Sequence, residues 1–167
     1  MKAGVITVSD RVSRGEAEDR SGPRAKAILE ELGFTVAGVD VVPDGTTSVQ
    51  VAISRLIGSV DLVVTTGGTG FSSRDLTPEA TASVIERPAP GLAEAMRAAT
   101  FGQNPHGMLS RGVAGITGTT VIVNLPGSVR GVEESLGVIG PALRHGVGLV
   151  SDAGSDHNIG ELSDSNP

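Results

Sequence analysis

The stretch from Val63 to Glu79, VVTTGGTGFSSRDLTPE, constrains the fold more than any other. Its β-branched residues up to Thr66 favour an extended strand, and Gly67, Gly68, Thr69 and Gly70 then reduce the chain almost to bare backbone. A charged loop follows with Ser72, Ser73, Arg74 and Asp75, after which Thr77 predicts a helix cap and Pro78 the helix's first turn. A strand that feeds a glycine turn and then a helix start presents N–H groups and a partial positive charge to an anion, phosphate above all. The glycines alone fit a plain tight turn equally well, with Arg74 paired to Asp75 on the surface.

The rest of the chain repeats the strand–helix rhythm. Ala3 to Ser9 and Thr35 to Pro43 are β-branched runs that predict strands. Between them, Ala25, Ile28, Leu29 and Leu32 have helical spacing, and Gly33 ends that helix. Thr47 with Gln50 reads as a capping box for a helix that carries Val49, Ala52, Ile53 and Leu56. After Glu79 the pattern predicts a helical hairpin broken at Pro88 and Pro90, then a loop at Gln103–His106. Leu109 to Pro126 predicts two strands about a Thr117–Gly118 turn, and Val132, Leu136, Ile139 and Leu143 form the buried stripe of a last helix. Alternating strands and helices imply a mostly parallel sheet covered by helices, with ligands bound outside the carboxyl ends of the strands.

Composition narrows the function. The 167 residues fit one domain with a core large enough to need no disulfide or metal staple, and there is no cysteine. The net charge is −6, and residues 151–167 hold Asp152, Asp156, Glu161 and Asp164 with no Lys or Arg. A domain over 1–150 with an acidic, mobile tail is therefore expected. No basic face is implied, and Phe34, Phe71 and Phe101 are the only aromatic residues, so nucleic acid is not the expected partner. Nor is a membrane, because no apolar segment approaches the ~18 residues of a span. The first residues, MKAGVITVSD, lack the long apolar region of a signal peptide, and a cytoplasmic protein is expected.

The rule for parallel sheets gathers Ser9 and Asp10, Asp44, and Gly67 to Gly70 on one edge. Asp44, before Gly45, is an ordinary turn residue taken alone. Beside Asp75 and a phosphate loop it becomes a candidate Mg²⁺ ligand, since Mg²⁺ prefers one or two carboxylates completed by substrate phosphates. The loop from Asp10 to Arg20, with Arg11, Arg14, Asp19 and Arg20, reads better as a solvated connection than as an anion site. Ser128 reads as a cap of the last helix. His106, His145 and His157 share no ligand spacing, and GGTG lacks the Gly-Lys-Ser/Thr ending of a Walker loop.

Several motifs, in order, resemble the MogA/MoaB molybdenum-cofactor proteins: VSDR at 8–11, EDRSG at 18–22, TTGGTG at 65–70, RDLTPEAT at 74–81, then LSRGVAG and VIVNLPGS. The resemblance runs from about residue 3 to about residue 148. It implies a three-layer α/β/α domain, a homotrimer, and transfer of AMP from Mg-ATP to molybdopterin with release of pyrophosphate. A molybdenum-insertion partner is implied as well. Carried over by position, it makes Asp44 and Asp75 the essential carboxylates, with Mg²⁺ held by Asp44 or Asp75, and sets Gly67, Gly68, Thr69 and Gly70 against nucleotide phosphates. Ser9, Asp10, Ser110, and Asn124, Pro126, Gly127 and Ser128 would line the same pocket, with Arg74 either a ligand clamp or an ion-pair partner. Val129 departs from the proline common after that last turn. Two other readings belong to the same resemblance: a binding protein without turnover, and an assembly module like the gephyrin-type fusions.

Overall fold

The structure, a computed structural model, describes residues 1–100 and 104–151. The expected acidic tail beyond Ser151 and the first residue of the expected 103–106 loop lie outside them.

Six strands form one mixed sheet: β1 (Lys2–Val8), β2 (Thr35–Val42), β3 (Leu62–Thr66), β4 (Arg87–Pro88), β5 (Ala114–Thr117) and β6 (Thr120–Leu125). Their order is β2-β1-β3-β6-β5-β4. β2, β1, β3 and β6 run parallel, whereas β5 is antiparallel to both β6 and β4. The register sets Thr7 beside Thr66, and Thr66 beside Leu125, so the parallel strands end level.

The two-residue side-chain period of a strand explains the layers. Val5, Leu62, Val64, Val121, Val123 and Leu125 face one side, where they pack with Ala25 and Leu29 of α2 (Ser21–Glu31) and with Val132, Leu136, Ile139 and Leu143 of α6 (Val129–Ser151). Ile6, Val8, Val63 and Ile122 face the other, against Val49, Ala52 and Ile53 of α3 (Thr46–Leu56) and Ala80 of α4 (Thr77–Ala82). Each such buried Val, Leu or Ile side chain contributes about 1.5–3 kcal/mol. The α/β/α architecture and the helical stripes are as the sequence predicts.

Local readings fail in instructive places. The segment after Glu79 is no helical hairpin: α4 lies on one face, β4 joins the sheet edge, and α5 (Pro90–Ala98) packs with Leu92, Ala95 and Met96 on the opposite face. Thr47 and Gln50 form no capping box. α3 starts after Gly45 with no side-chain cap, and Ser48 Oγ donates instead to the carbonyls of Pro43 (2.8 Å) and Gly45 (2.9 Å). Asn104 caps a 3₁₀ turn at Pro105–Leu109, within what the sequence predicts to be loop. The charged stretch from Asp10 opens with a short helix, α1 (Asp10–Ser13), capped by Ser9. Asp19 in that stretch is no solvated connector, because it accepts from Thr7 Oγ1 (2.7 Å) and from the N–H of Gly22 (3.0 Å), binding the start of α2 to β1.

Candidate functional site at the strand ends

The turn after β3 is shaped by what surrounds it. Gly67 and Gly68 have φ of +96° and +63°, in the left-handed region that favours glycine. A Cβ on Gly67 would lie 2.3 Å from the Val8 carbonyl oxygen, and one on Gly68 2.3 Å from Thr77 Oγ1. The fold itself therefore requires both glycines, whatever binds. Gly127 abuts the same turn, its absent Cβ 3.0 Å from Gly67 Cα.

Every carbonyl of the turn is engaged from within the protein. Gly67 O accepts from Thr77 Oγ1 (2.9 Å) and Gly68 O from the Thr77 N–H (3.1 Å). Thr69 O accepts from the Arg111 N–H (2.8 Å) and Gly70 O from Arg111 Nε (2.8 Å). Gly67 N–H donates to Leu125 O at 3.2 Å, whereas the N–H groups of Gly68, Thr69 and Gly70 meet no protein acceptor among the described residues. With its acceptors tied back and donors left over, the turn is polarised toward an anion. Thr77 thus serves the turn and does not cap α4, and α4 is only six residues long, so its dipole is a minor part of the site.

Two carboxylates stand beside the turn. A Cβ on Gly68 would be 3.4 Å from Asp44 Oδ1, and one on Gly70 2.9 Å from Asp75 Oδ2. The missing side chains leave each oxygen facing bare backbone. Asp44 and Asp10 brace the ends of β2 and β1 reciprocally: Asp10 N–H donates to Asp44 Oδ2 (2.9 Å), and Asp44 N–H donates to Asp10 Oδ1 (3.1 Å). Asp75 Oδ2 accepts the Ser72 N–H at 2.9 Å. Arg74 does not pair with Asp75. Its exposed guanidinium reaches Asp10 Oδ2 at 3.4 Å, an ion pair of small energy. Among the described residues no three His, Cys, Asp or Glu side chains cluster as a metal site. Two carboxylates beside the turn are too few to enclose a cation, so a hard cation bound there would have to be completed by other oxygens.

The residues expected in one pocket divide between two cavities on either side of the glycine turn. Ser9, Asp44, Gly67, Gly68, Asp75 and Gly127 line a cavity of about 450 Å³. Thr69, Gly70, Ser110, Asn124, Pro126 and Ser128 line another of about 260 Å³, together with Arg97 and Arg130. Asp10 and Arg74 line neither and stand behind Asp44 as a brace. Asn124 contributes little beyond its backbone: its buried amide donates to Thr65 Oγ1 (3.0 Å) and Thr81 Oγ1 (2.8 Å) and accepts the Val113 N–H (3.2 Å). Ser128 Oγ accepts the Gly131 N–H at 3.0 Å, the cap expected of it.

Sequence reasoning passes over Arg111 and Arg97, and weighs Asp19 only as part of a solvated connection. Arg111 stands in LSRGVAG, yet nothing in that segment's pattern indicates that it reaches the glycine turn. It also binds Glu79 and holds that carboxyl below the usual carboxylate range by donating to it, against the opposing effect of burial.

A family described as a probable molybdopterin-binding domain matches residues 4–145. Gephyrin of Dictyostelium discoideum is 43% identical, matching 89% of this chain but 22% of its own length. Molybdopterin adenylyltransferase of Helicobacter pylori J99 is 38% identical and is matched over 88% of this chain and 86% of its own. Among solved structures, the molybdopterin biosynthesis enzyme MoaB of Thermus thermophilus superposes with a TM-score of 0.85 at 41% identity, over 90% of this chain and 96% of that one. The chain spans between 22% and 49% of the length of the larger curated relatives, gephyrin among them.

Proposed function

Since the chain belongs to the molybdopterin-binding domain family, we propose that it is a molybdopterin adenylyltransferase of molybdenum cofactor biosynthesis, a nucleotidyltransferase that moves AMP from ATP to molybdopterin. The observation that carries this reading is the polarised turn: carbonyls 67–70 tied into the protein, amides 68–70 left over, and two carboxylates beside them. A bare carboxylate pair would repel a triphosphate, and a bare anion cradle would not attract a cation. Together they suit a cation-bound phosphate chain. The name and near-full coverage of the Helicobacter pylori relative support the same activity.

In the reaction, a terminal phosphate oxygen of molybdopterin attacks the α-phosphorus of ATP. The bond from that phosphorus to the bridging oxygen breaks, and pyrophosphate leaves. The turn amides orient the phosphate oxygens and hold the charge that develops on them without reorganising. Asp44 and Asp75 would hold Mg²⁺, which supplies charge neutralisation to the triphosphate when bound. The two cavities meet at the turn and suit a two-substrate transfer, one on each side. The homotrimer, the cytoplasmic location and a molybdenum-insertion partner belong to the proposal too. Among the described residues no helix is long and apolar enough to cross a membrane. The catalytic domain is assigned to 1–150, which contains the family match and both cavities.

The test is molybdopterin-dependent release of pyrophosphate from ATP. Asp75→Ala should lose it while keeping its circular dichroism and Tm. Near-normal adenylation by this variant would sink the assignment, and binding of molybdopterin by the wild type without pyrophosphate release would leave a binding protein instead.

A further inference from the structure

We propose that Arg111 is a positioning residue for this transfer, an inference that rests on the adenylyltransferase reading: it holds the glycine turn and the backbone of Asp75 in one geometry without touching substrate. Arg111 precedes β5, far from the turn in sequence, yet it accounts for the engagement of two of the four turn carbonyls. Its N–H donates to Thr69 O (2.8 Å) and its Nε to Gly70 O (2.8 Å). One terminal nitrogen, Nη2, donates to the carbonyl of Asp75 and lies 3.4 Å from Glu79 Oε2, and the other, Nη1, binds Glu79 Oε1. The guanidinium thus spans both ends of the loop, at Gly70 and at Asp75, and rests on α4 through Glu79. Only a planar fork with several N–H donors can satisfy acceptors spread in this way.

Two consequences follow from these contacts. Occupying the carbonyls removes partial negative charge that would otherwise be free to turn toward the phosphate. Fixing both loop ends also fixes where the Asp75 side chain begins. Arg111 is itself held by Arg97 of α5, whose Nη1 donates to Gly112 O (3.0 Å) and Ser110 O (3.4 Å), the carbonyls on either side of it. Arg97 lines the smaller cavity and Asp75 the larger. The two arginines therefore connect the walls of the two cavities through the turn between them.

The experiment compares Arg111→Lys, Arg111→Ala and Glu79→Gln in the full chain. Lysine keeps the charge, the pairing with Glu79 and the backbone bond to Thr69 O, but cannot bind both the Gly70 and Asp75 carbonyls as the guanidinium does. Arg111→Lys should lower kcat for pyrophosphate release by roughly tenfold to a hundredfold, the scale of a small misplacement of reacting groups. KM for molybdopterin should move far less. Glu79→Gln, which removes an exposed ion pair and leaves the carbonyl contacts, should stay within about fivefold of wild type. Hydrogen exchange read on the ligand-free proteins needs no activity. The hydrogen-bonded amides of Ser72, Asp75 and Thr77 should exchange roughly tenfold faster in both Arg111 variants, with β1, β3 and β6 unchanged. Unchanged exchange at Ser72, Asp75 and Thr77 in Arg111→Lys, or an equal loss of kcat in Glu79→Gln, overturns the proposal. If the wild type releases no pyrophosphate, the adenylyltransferase reading fails by itself, and the exchange measurement alone decides whether Arg111 orders the loop.

Discussion

A glycine can be required by conformation, by space or by both, and two positions in this chain separate the cases. Gly118, in the β5–β6 turn, has φ of +54°, and a Cβ there would meet no atom within 4 Å. Gly67 combines φ of +96° with a Cβ that would fall 2.3 Å from the Val8 carbonyl oxygen, a backbone atom that cannot rotate away. Gly118→Ala should therefore cost about 1 kcal/mol, the strain of a left-handed alanine, and leave pyrophosphate release intact. Gly67→Ala should lower Tm much further and abolish release, because relieving the clash moves the turn off the end of β1. Equal losses of Tm in thermal melts of the two variants would show that crowding at Val8 is unimportant. The residue scale also shows what sequence can and cannot reveal. GGTG and Asp75 are legible because left-handed turns and charged loops restrict residue type locally. The arginine that completes them is not, since its partners are set by the tertiary path alone. Asn124 lines the smaller cavity, but the sequence does not show that Thr65 and Thr81 consume its amide.

Elements are legible where burial imposes a period. The stripe Val132, Leu136, Ile139 and Leu143 predicts α6, and all four side chains are buried in the core on one face of the sheet. Caps are less legible, since Thr47–Gln50 and Thr77 each satisfy a local rule that a competing partner overrides: Ser48 serves the start of α3, and Gly67 O claims the Thr77 hydroxyl. The 79–99 segment misleads for a topological reason. Two amphipathic helices in succession look like a hairpin, and nothing in their periodicity reports that two intervening residues, Arg87 and Pro88, join the sheet edge and send the second helix to the other face. If α6 is the main cover of its face, Leu136→Ala should destabilise the domain by about 2–5 kcal/mol. The expected signature is a lower urea midpoint with unchanged slope. A loss below ~1 kcal/mol would mean that the helix is only loosely docked.

At the scale of the molecule, folding and chemistry draw on different materials. Stability comes from apolar side chains packed on both faces of the sheet, while the site is assembled at one edge from turns, carboxylates and leftover amides. Without any cation, Asp44 is engaged with Asp10 and Asp75 with Ser72. With Asp44 and Asp75 as the proposed protein ligands of Mg²⁺, a tight resident site would be incomplete without substrate oxygens. Chelation with EDTA should therefore leave the Tm of the ligand-free protein unchanged while stopping pyrophosphate release, and added Mg²⁺ should restore turnover. Mg²⁺ alone should raise Tm little. ATP with Mg²⁺ should raise it in proportion to the logarithm of ligand concentration above Kd, and EDTA should cancel that increase. A drop in Tm when the ligand-free protein is chelated would instead indicate a metal built into the fold, and would move the carboxylate pair from substrate-completed site to structural centre.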